Sequence, residues 1–298
     1  MSAVTAPMLE PGSRLDAVRR VLGLGGARRI PFMIWIALGF LGVVIFLSLF
    51  GRIVFNGSPG TQHLLENGDG PTSSHWLGTD SLGRDVFARM VEGSKTALLG
   101  PFIIAFSGLV VSSIVGIAAG YFGGAIDLVI SRVVDFMFAL PGLLIAIVVV
   151  SVVGGGYPLA IAVLCVLNVQ GDIRIVRSVA VKQRALPYIE AARTLGVPRW
   201  RIMYQHIFLN IIPILIANLA LDFGGALIAL AGLAFLGLGS PAGSPEWGRM
   251  LAEGQSLLFQ NPSAALAPGL AIVLLAMSVS LIGDWVYDGY SRRGRSER

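Results

Sequence analysis

Charge, cysteine and histidine are all scarce in this 298-residue chain. Asp, Glu, Lys and Arg together make up 13% of it, about half the share found in a typical soluble domain. Apolar residues make up 55%, and the mean hydropathy is +0.77. So few charges cannot clothe a globule in water, so lipid must be the solvent for much of the chain. That excludes a soluble enzyme, a disordered chain and a disulfide scaffold. The single cysteine, Cys165, has no intramolecular partner and says nothing of redox compartment. Three scattered histidines and one cysteine offer no metal cluster. The phosphate cradle G-x-x-x-x-G-K-[ST] is missing; Gly93-Ser94-Lys95-Thr96 matches only its end, in the wrong order. With no nucleophile elbow either, nothing supports catalysis, and no cofactor or metal is expected in this chain.

What the chain has is apolar length. A bilayer core about 30 Å thick takes roughly 20 apolar residues as helix, and the runs 32–55, 97–122, 126–153, 158–181, 207–238 and 264–286 qualify. The first exceeds a secretory h-region and exits through Gly51-Arg52-Ile53-Val54-Phe55 with no small-residue cleavage site, so it reads as an uncleaved span. The expected fold is an all-α polytopic membrane protein with about six transmembrane helices. If the amino terminus is inside, 17 of the 22 basic residues fall on inner segments. Positive charge near span ends marks the cytoplasmic side. The basic pI is therefore topological, and a nucleic-acid partner is not expected.

The expected organisation follows. Residues 1–30 form a basic cytoplasmic segment, 31–55 the first span, and 56–95 an extracytoplasmic loop with an interfacial helix. Residues 96–288 form a five-helix core with an inner loop at 182–206, and 289–298 a cytoplasmic tail. In the outer loop, Val86, Phe87, Met90 and Val91 give one apolar side, Asp85–Arg89 an i,i+4 pair, and Trp76 an anchor at headgroup depth. A second outer stretch, Pro245-Glu246-Trp247-Gly248, suits a short helix. Either stretch suits the membrane surface or a neighbouring subunit.

Gly108, Ser112, Gly116 and Gly120 recur every four residues, which on a helix makes a face that lets another backbone approach; glycine is also common in membrane helices generally. Asn218 and Asp222 share a helix face after Pro213, whose missing N–H should bend that span. A carboxylate at this depth reads either as a pore-facing group or as a structural hydrogen bond to a neighbouring helix.

The inner loop is the most informative segment. Pro187 suits a first helical position, and Tyr188, Ala191, Ala192 and Leu195 form a stripe at helical spacing. Gly196 is placed to stop that helix in the left-handed region, and Pro198 to start the next. The result is a helix, a sharp turn and a second helix running into the fifth span. Such a basic elbow reads as a docking element for another protein, or as an ordinary interfacial helix.

Several stretches also resemble a known family, the permease subunits of ABC importers in the dipeptide/oligopeptide/nickel group, and within it the second permease of the pair. Glu190-Ala191-Ala192 followed by Gly196 is similar to the family's EAA loop. So are Leu77-Gly78-Thr79-Asp80-Ser81-Leu82-Gly83-Arg84-Asp85-Val86, Pro245-Glu246-Trp247-Gly248, Tyr121-Phe122-Gly123-Gly124 and Ala139-Leu140-Pro141 to further stretches. One departure is that His206-Ile207-Phe208 is followed by Leu209 where the family often has proline.

The resemblance implies the type I importer architecture in a bacterial inner membrane. It implies a homologous second permease, two cytoplasmic ATPase subunits that bind ATP and magnesium, and an extracytoplasmic substrate-binding protein. It also implies that Tyr188, Glu190, Ala191, Ala192, Arg193, Leu195 and Gly196 contact the ATPases. Peptides are the implied cargo, with a nickel or metal chelate or glutathione as alternatives. A self-sufficient, ion-coupled transporter using Asp172 and Asp222 is the competing class.

Overall fold

The computed structural model describes residues 31–54, 60–154 and 156–296. The basic segment 1–30, residues 55–59, Gly155 and residues 297–298 lie outside the described residues, and so do the expectations that fall on them. The first helix, α1, spans Phe32–Val54. It is followed by α2 (Val86–Phe122), α3 (Gly124–Phe138), α4 (Gly142–Val153), α5 (Tyr157–Arg184) and α6 (Pro187–Thr194). Next come α7 (Arg199–Phe235), α8 (Trp247–Gly254) and α9 (Ser263–Ser296). By length and composition α1, α2, α5, α7 and α9 can each cross a bilayer. The stretch after residue 288, expected as a tail, continues α9 as helix to Ser296.

The expected single span 126–153 is broken. α3 and α4 meet at an angle of 75°. Pro141 has no N–H to donate and pushes Leu140 out of the helical region, so the chain turns there and Pro141 caps α4 in an extended conformation. The described residues thus hold six crossings only if this bent pair counts as one.

The interfacial helix expected before the second span is instead the first turns of α2. Asp85 caps it by accepting the Ala88 N–H at 2.9 Å, and no helix breaker stands before Pro101. At 37 residues the helix is about 55 Å long, well beyond a hydrocarbon core. Its two ends therefore mark the two faces of the bundle. Trp76 lies 62% exposed beside the Phe87 ring at 5.2 Å.

At the amino-terminal end of α2, the expected Asp85–Arg89 pair is absent. Asp85 is occupied by the cap and by His75 Nδ1 at 2.8 Å. Arg89, 1% exposed, instead meets Asp80 and Glu253, the latter at 3.0 Å. Arg84 bridges the same two acids at 2.7 and 3.2 Å. Trp247 Nε1 donates to Met90 O at 2.9 Å, and Asn261 Nδ2 donates to Leu77 O and Thr79 O at 3.0 Å each. These contacts clip the loop before α2 onto α8 and the start of α9. The short helix expected after Pro245 is α8.

Along the middle of α2 the four-residue stripe faces α5. A Cβ on Gly116 would come 2.8 Å from Val176 Cβ, and one on Gly120 would come 2.6 Å from Ala180 Cβ and 2.8 Å from Arg177 O. Ser112, between Gly108 and Gly116 in the stripe, is buried and turns its hydroxyl onto Leu109 O. Small side chains let these backbones close up, which is where a membrane helix pair gains its van der Waals contact. Behind them α7, α8 and α9 pack through Phe223, Leu227, Trp247, Met250 and Leu275.

Candidate functional site

The far end of α2 carries the elbow. Arg184 ends α5, two residues turn the chain, and Pro187 opens α6, where its missing N–H costs nothing. α6 ends as a Schellman turn. Gly196 stands at φ +75°, its N–H donates to Arg193 O at 3.0 Å, and Val197 N donates to Ala192 O at 3.1 Å. Pro198 then caps α7. The first turns of α7 include a π-helical stretch at Ile202–Ile207, after which the helix runs through Pro213 without interruption.

The elbow is held to the bundle by one face only. Ile189 and Ala192 are buried with Ile117, Tyr121, Val176, Ala180, Ile202 and Ile207. The stripe expected from spacing differs from this, because only Ala192 of its members is buried. Tyr188, Ala191 and Leu195, at i, i+3 and i+7, run down a neighbouring flank about 100° round the helix from Ile189 and Ala192, and Leu195 is 82% exposed. Glu190, Arg193 and Gly196 are exposed as well. The eight-residue helix is too short to bury a wide stripe, and Ile189 supplies the anchor that the i, i+3 pattern with Ala192 could have revealed.

Side chains fix the angle of the elbow. Tyr188 donates its hydroxyl to Gln183 Oε1 at 2.7 Å and accepts Asn210 Nδ2 at 3.1 Å, joining α5, α6 and α7. Burial raises the Tyr188 phenol above its ordinary value, opposed by the Asn210 bond, so the hydroxyl stays a donor at neutral pH. The Arg193 guanidinium lies 5.0 Å from the Tyr121 ring centroid, a cation–π contact that ties α6 to the end of α2. Arg174 and Arg177 on α5 hold Asp135 and Asp127 on α3. The Arg193–Tyr121 contact and the Arg174 and Arg177 pairings join distant parts of the chain, and no motif or spacing marks them.

Asn218 and Asp222 lie far along α7 from the elbow, and the structure does not bring them to it. Asp222 is half-buried, and its carboxyl lies near that of Asp172 on α5. Asp172 is 4% exposed, and its Oδ2 and Asn218 Nδ2 have no hydrogen-bond partner among the described residues. Gly108 of the α2 stripe faces this carboxyl rather than a packing side chain. The polar groups therefore form a separate site at the meeting of α2, α5 and α7.

Known proteins are similar to this chain. A family model described as the binding-protein-dependent transport system inner membrane component matches residues 112–296. A glutathione transport system permease protein of Pectobacterium atrosepticum is 36% identical over 228 residues, 76% of this chain and 76% of that protein. A dipeptide transport system permease protein of Alkalihalophilus pseudofirmus is 34% identical over 252 residues, covering 85% of this chain and 83% of its own length. The solved inward-facing MetNI methionine ABC transporter superposes with a TM-score of 0.56 at 18% identity, covering 68% of this chain and 96% of that one, a likeness of fold. The matched family region takes in the α2–α5 contact, the elbow and α7 to α9, and on these grounds the chain belongs to the binding-protein-dependent transport system inner membrane components, the permease subunits of ABC importers, in their dipeptide/oligopeptide/nickel group.

Proposed function

We propose that this chain forms half of the pathway by which an ATP-driven importer carries short peptides across a bacterial cytoplasmic membrane. A homologous permease supplies the other half, two cytoplasmic ATPase subunits bind ATP and magnesium, and an extracytoplasmic binding protein delivers cargo. Both termini and the elbow lie on the cytoplasmic side, in keeping with the arginines and lysine that crowd residues 174–201. Relatives that carry dipeptides and glutathione in their names support a small peptide-like cargo.

The observation that carries the reading is the two-sided elbow. Ile189 and Ala192 anchor it in the bundle and the Tyr188 hydroxyl ties it to α5 and α7, while Glu190, Ala191 and Leu195 face outward on the same short helix. When the ATPase pair closes on ATP, a partner gripping the outer face moves α6. Its Schellman turn passes that motion into α7, which runs unbroken to the middle of the bundle. Asn218 and Asp222 on α7 then lie where that motion reaches the pathway, and we assign them a pore-side role. A self-sufficient ion-coupled carrier working through Asp172 and Asp222 fits the family less well, since its members work with binding proteins.

The test is reconstitution. In proteoliposomes, peptide uptake should require this chain, its partner permease, both ATPases, the binding protein and ATP together, and the purified chain alone should not hydrolyse ATP. Uptake driven by an ion gradient with no ATPase subunit present would overturn the proposal.

A further inference from the structure

A cleft of about 510 Å³ opens beside the elbow. Tyr121 and Phe122, the last residues of α2, form one wall, and Arg184, Arg193 and Arg199 converge from α5, α6 and α7. Three guanidiniums around one space repel each other unless an anion sits among them. None of the three makes an ion pair among the described residues. Arg184 Nη1 donates to Tyr121 O at 3.0 Å and Arg193 covers the Tyr121 ring, but neither contact neutralises charge. Asp127 lies within electrostatic range of Arg184, yet both its oxygens are bonded to Arg177. Asp135 is held by Arg174. Glu190, three residues before Arg193 on the same helix, makes no ion pair with it.

The depth of the cleft identifies what comes to it. α2 as a whole outruns the bilayer, but its first turns carry Arg89, Glu92 and Lys95, and the apolar run that spans, residues 97–122, ends at Phe122, the last residue of the helix. A cleft at the last turn of such a span lies at the level of the lipid phosphates. Guanidinium forks match a phosphate's oxygens with paired N–H donors, and basic pockets between spans suit anionic headgroups. One wall is aromatic and Phe122 is exposed, so a headgroup seated among the arginines can keep its chains against apolar surface. The space holds a phosphodiester with its glycerol.

We propose that this cleft binds the phosphate of an anionic membrane phospholipid of the phosphatidylglycerol type. The site touches the proposed coupling elbow through Arg193, but the binding itself needs no ATPase. It is therefore separable from the proposed function. A bound headgroup ties the ends of α2, α5 and α7 to α6, making the rest position of the elbow depend on lipid charge.

The experiment is native mass spectrometry of the full-length chain in mild detergent, titrated with phosphatidylglycerol against phosphatidylcholine. The wild type should retain phosphatidylglycerol preferentially. Arg199→Gln should weaken that retention roughly tenfold, the equivalent of about 1.4 kcal/mol, and Arg199→Lys should lose less because it keeps the charge. Arg132→Gln, the same charge change on the exposed surface of α3, should leave retention as in the wild type, and circular dichroism should show every variant folded. Equal retention of the two lipids, or an unchanged preference in Arg199→Gln, would overturn the proposal. Full displacement by 10 mM inorganic phosphate would assign the site to free phosphate instead, and loss of co-purifying ATPase subunits in Arg199→Gln with lipid preference intact would assign it to an acidic partner. Either result refutes the lipid site.

Discussion

A Cβ built on Gly108 would stand 2.6 Å from Asp172 Oδ2. The glycine on α2 therefore makes the room in which a carboxyl of α5 is held inside the bundle. At the next two glycines of the stripe the neighbour includes backbone, Ile173 O for Gly116 and Arg177 O for Gly120. One repeat of small residues thus serves two purposes, clearance for a polar group in the middle and close helix contact toward the elbow.

These two purposes separate by mutation. Gly120→Val meets a carbonyl, a backbone N–H and Ala180, none of which can rotate away, so α2 and α5 must part. Overpacking of this kind costs about 1–3 kcal/mol, and the thermal midpoint of the detergent-solubilised chain should fall accordingly. Gly108→Ala meets only the end of one side chain, which can turn, so it should cost less stability while displacing Asp172 from Asp222. Equal thermal losses in the two variants would show that the stripe has a single role.

How much of this was legible in the sequence depends on range along the chain. The elbow was readable because Pro187, Gly196 and Pro198 set backbone angles locally, and a φ of +75° at Gly196 is what its place after an eight-residue helix requires. The α3–α4 break was hidden because the apolar run continues through Ala139-Leu140-Pro141 and hydropathy does not register a missing N–H. The Arg89 partners were hidden because Glu253 lies 164 residues away, while Asp85, the partner that spacing offers, satisfies the helix end instead. Ile189 does not stand out in the sequence because the exposed i, i+3, i+7 residues are also apolar. Nothing in a local pattern says which side of a short helix meets the bundle and which is left for a partner.

Two carboxyls at α8, Glu253 within it and Glu246 at its start, carry opposite pH dependences. Burial alone would raise Glu253, but the Gly243 N–H, Arg89 and Arg249 outweigh it and hold the carboxyl below its ordinary value. Its stabilisation is therefore present above the ordinary glutamate pKa of about 4.3 and is lost as pH falls through the lowered folded value. Glu246 runs the other way, because burial raises it despite the Ser240 hydrogen bond and Arg249. The stability linked to it is present below the ordinary value and is lost as pH rises through the raised one. Glu253→Gln should lower the melting temperature at pH 7 and flatten the acid limb of the profile. Glu246→Gln should raise the melting temperature at pH 8 relative to wild type. Melting curves from about pH 2 to 9, reaching below the lowered Glu253 value, check both signs at once.

Topology gives a direct check on orientation. On a Cys165→Ala background, a cysteine introduced at Ser291 should be protected from an impermeant maleimide in intact cells. One at Thr72, in the exposed loop before α2, should label. The reverse pattern would place the elbow outside the cell and remove the basis for ATPase docking.

The elbow itself yields the sharpest prediction, because its two faces are separate and its turn has space around it. A Cβ at Gly196 would meet nothing within 4 Å, so a substitution there acts through backbone conformation alone. Holding a side-chain-bearing residue in the left-handed region costs about 1–2 kcal/mol, more for a β-branched one. That is too little to unfold a bundle buried along α2, α5 and α7, but enough to shift α6 by opening its Schellman turn. Gly196→Val should therefore insert and assemble with the second permease normally while coupling poorly, and Gly196→Asn, which tolerates the region better, should fall between. Leu195→Glu and Glu190→Lys test the outer face without touching the turn. Both side chains are exposed, so stability should stay within about 0.5 kcal/mol of wild type while ATPase subunits dissociate more readily. Ile189→Ala tests the other face. It deletes a fully buried anchor and should cost about 2–5 kcal/mol, lowering the melting temperature and loosening the elbow together. Uptake, ATP hydrolysis and subunit stoichiometry of the reconstituted complex separate the three classes: uncoupled hydrolysis for Gly196→Val, lost subunits for the outer-face variants, lost fold for Ile189→Ala. Wild-type uptake in both Leu195→Glu and Gly196→Val would mean that ATPase motion enters the membrane elsewhere.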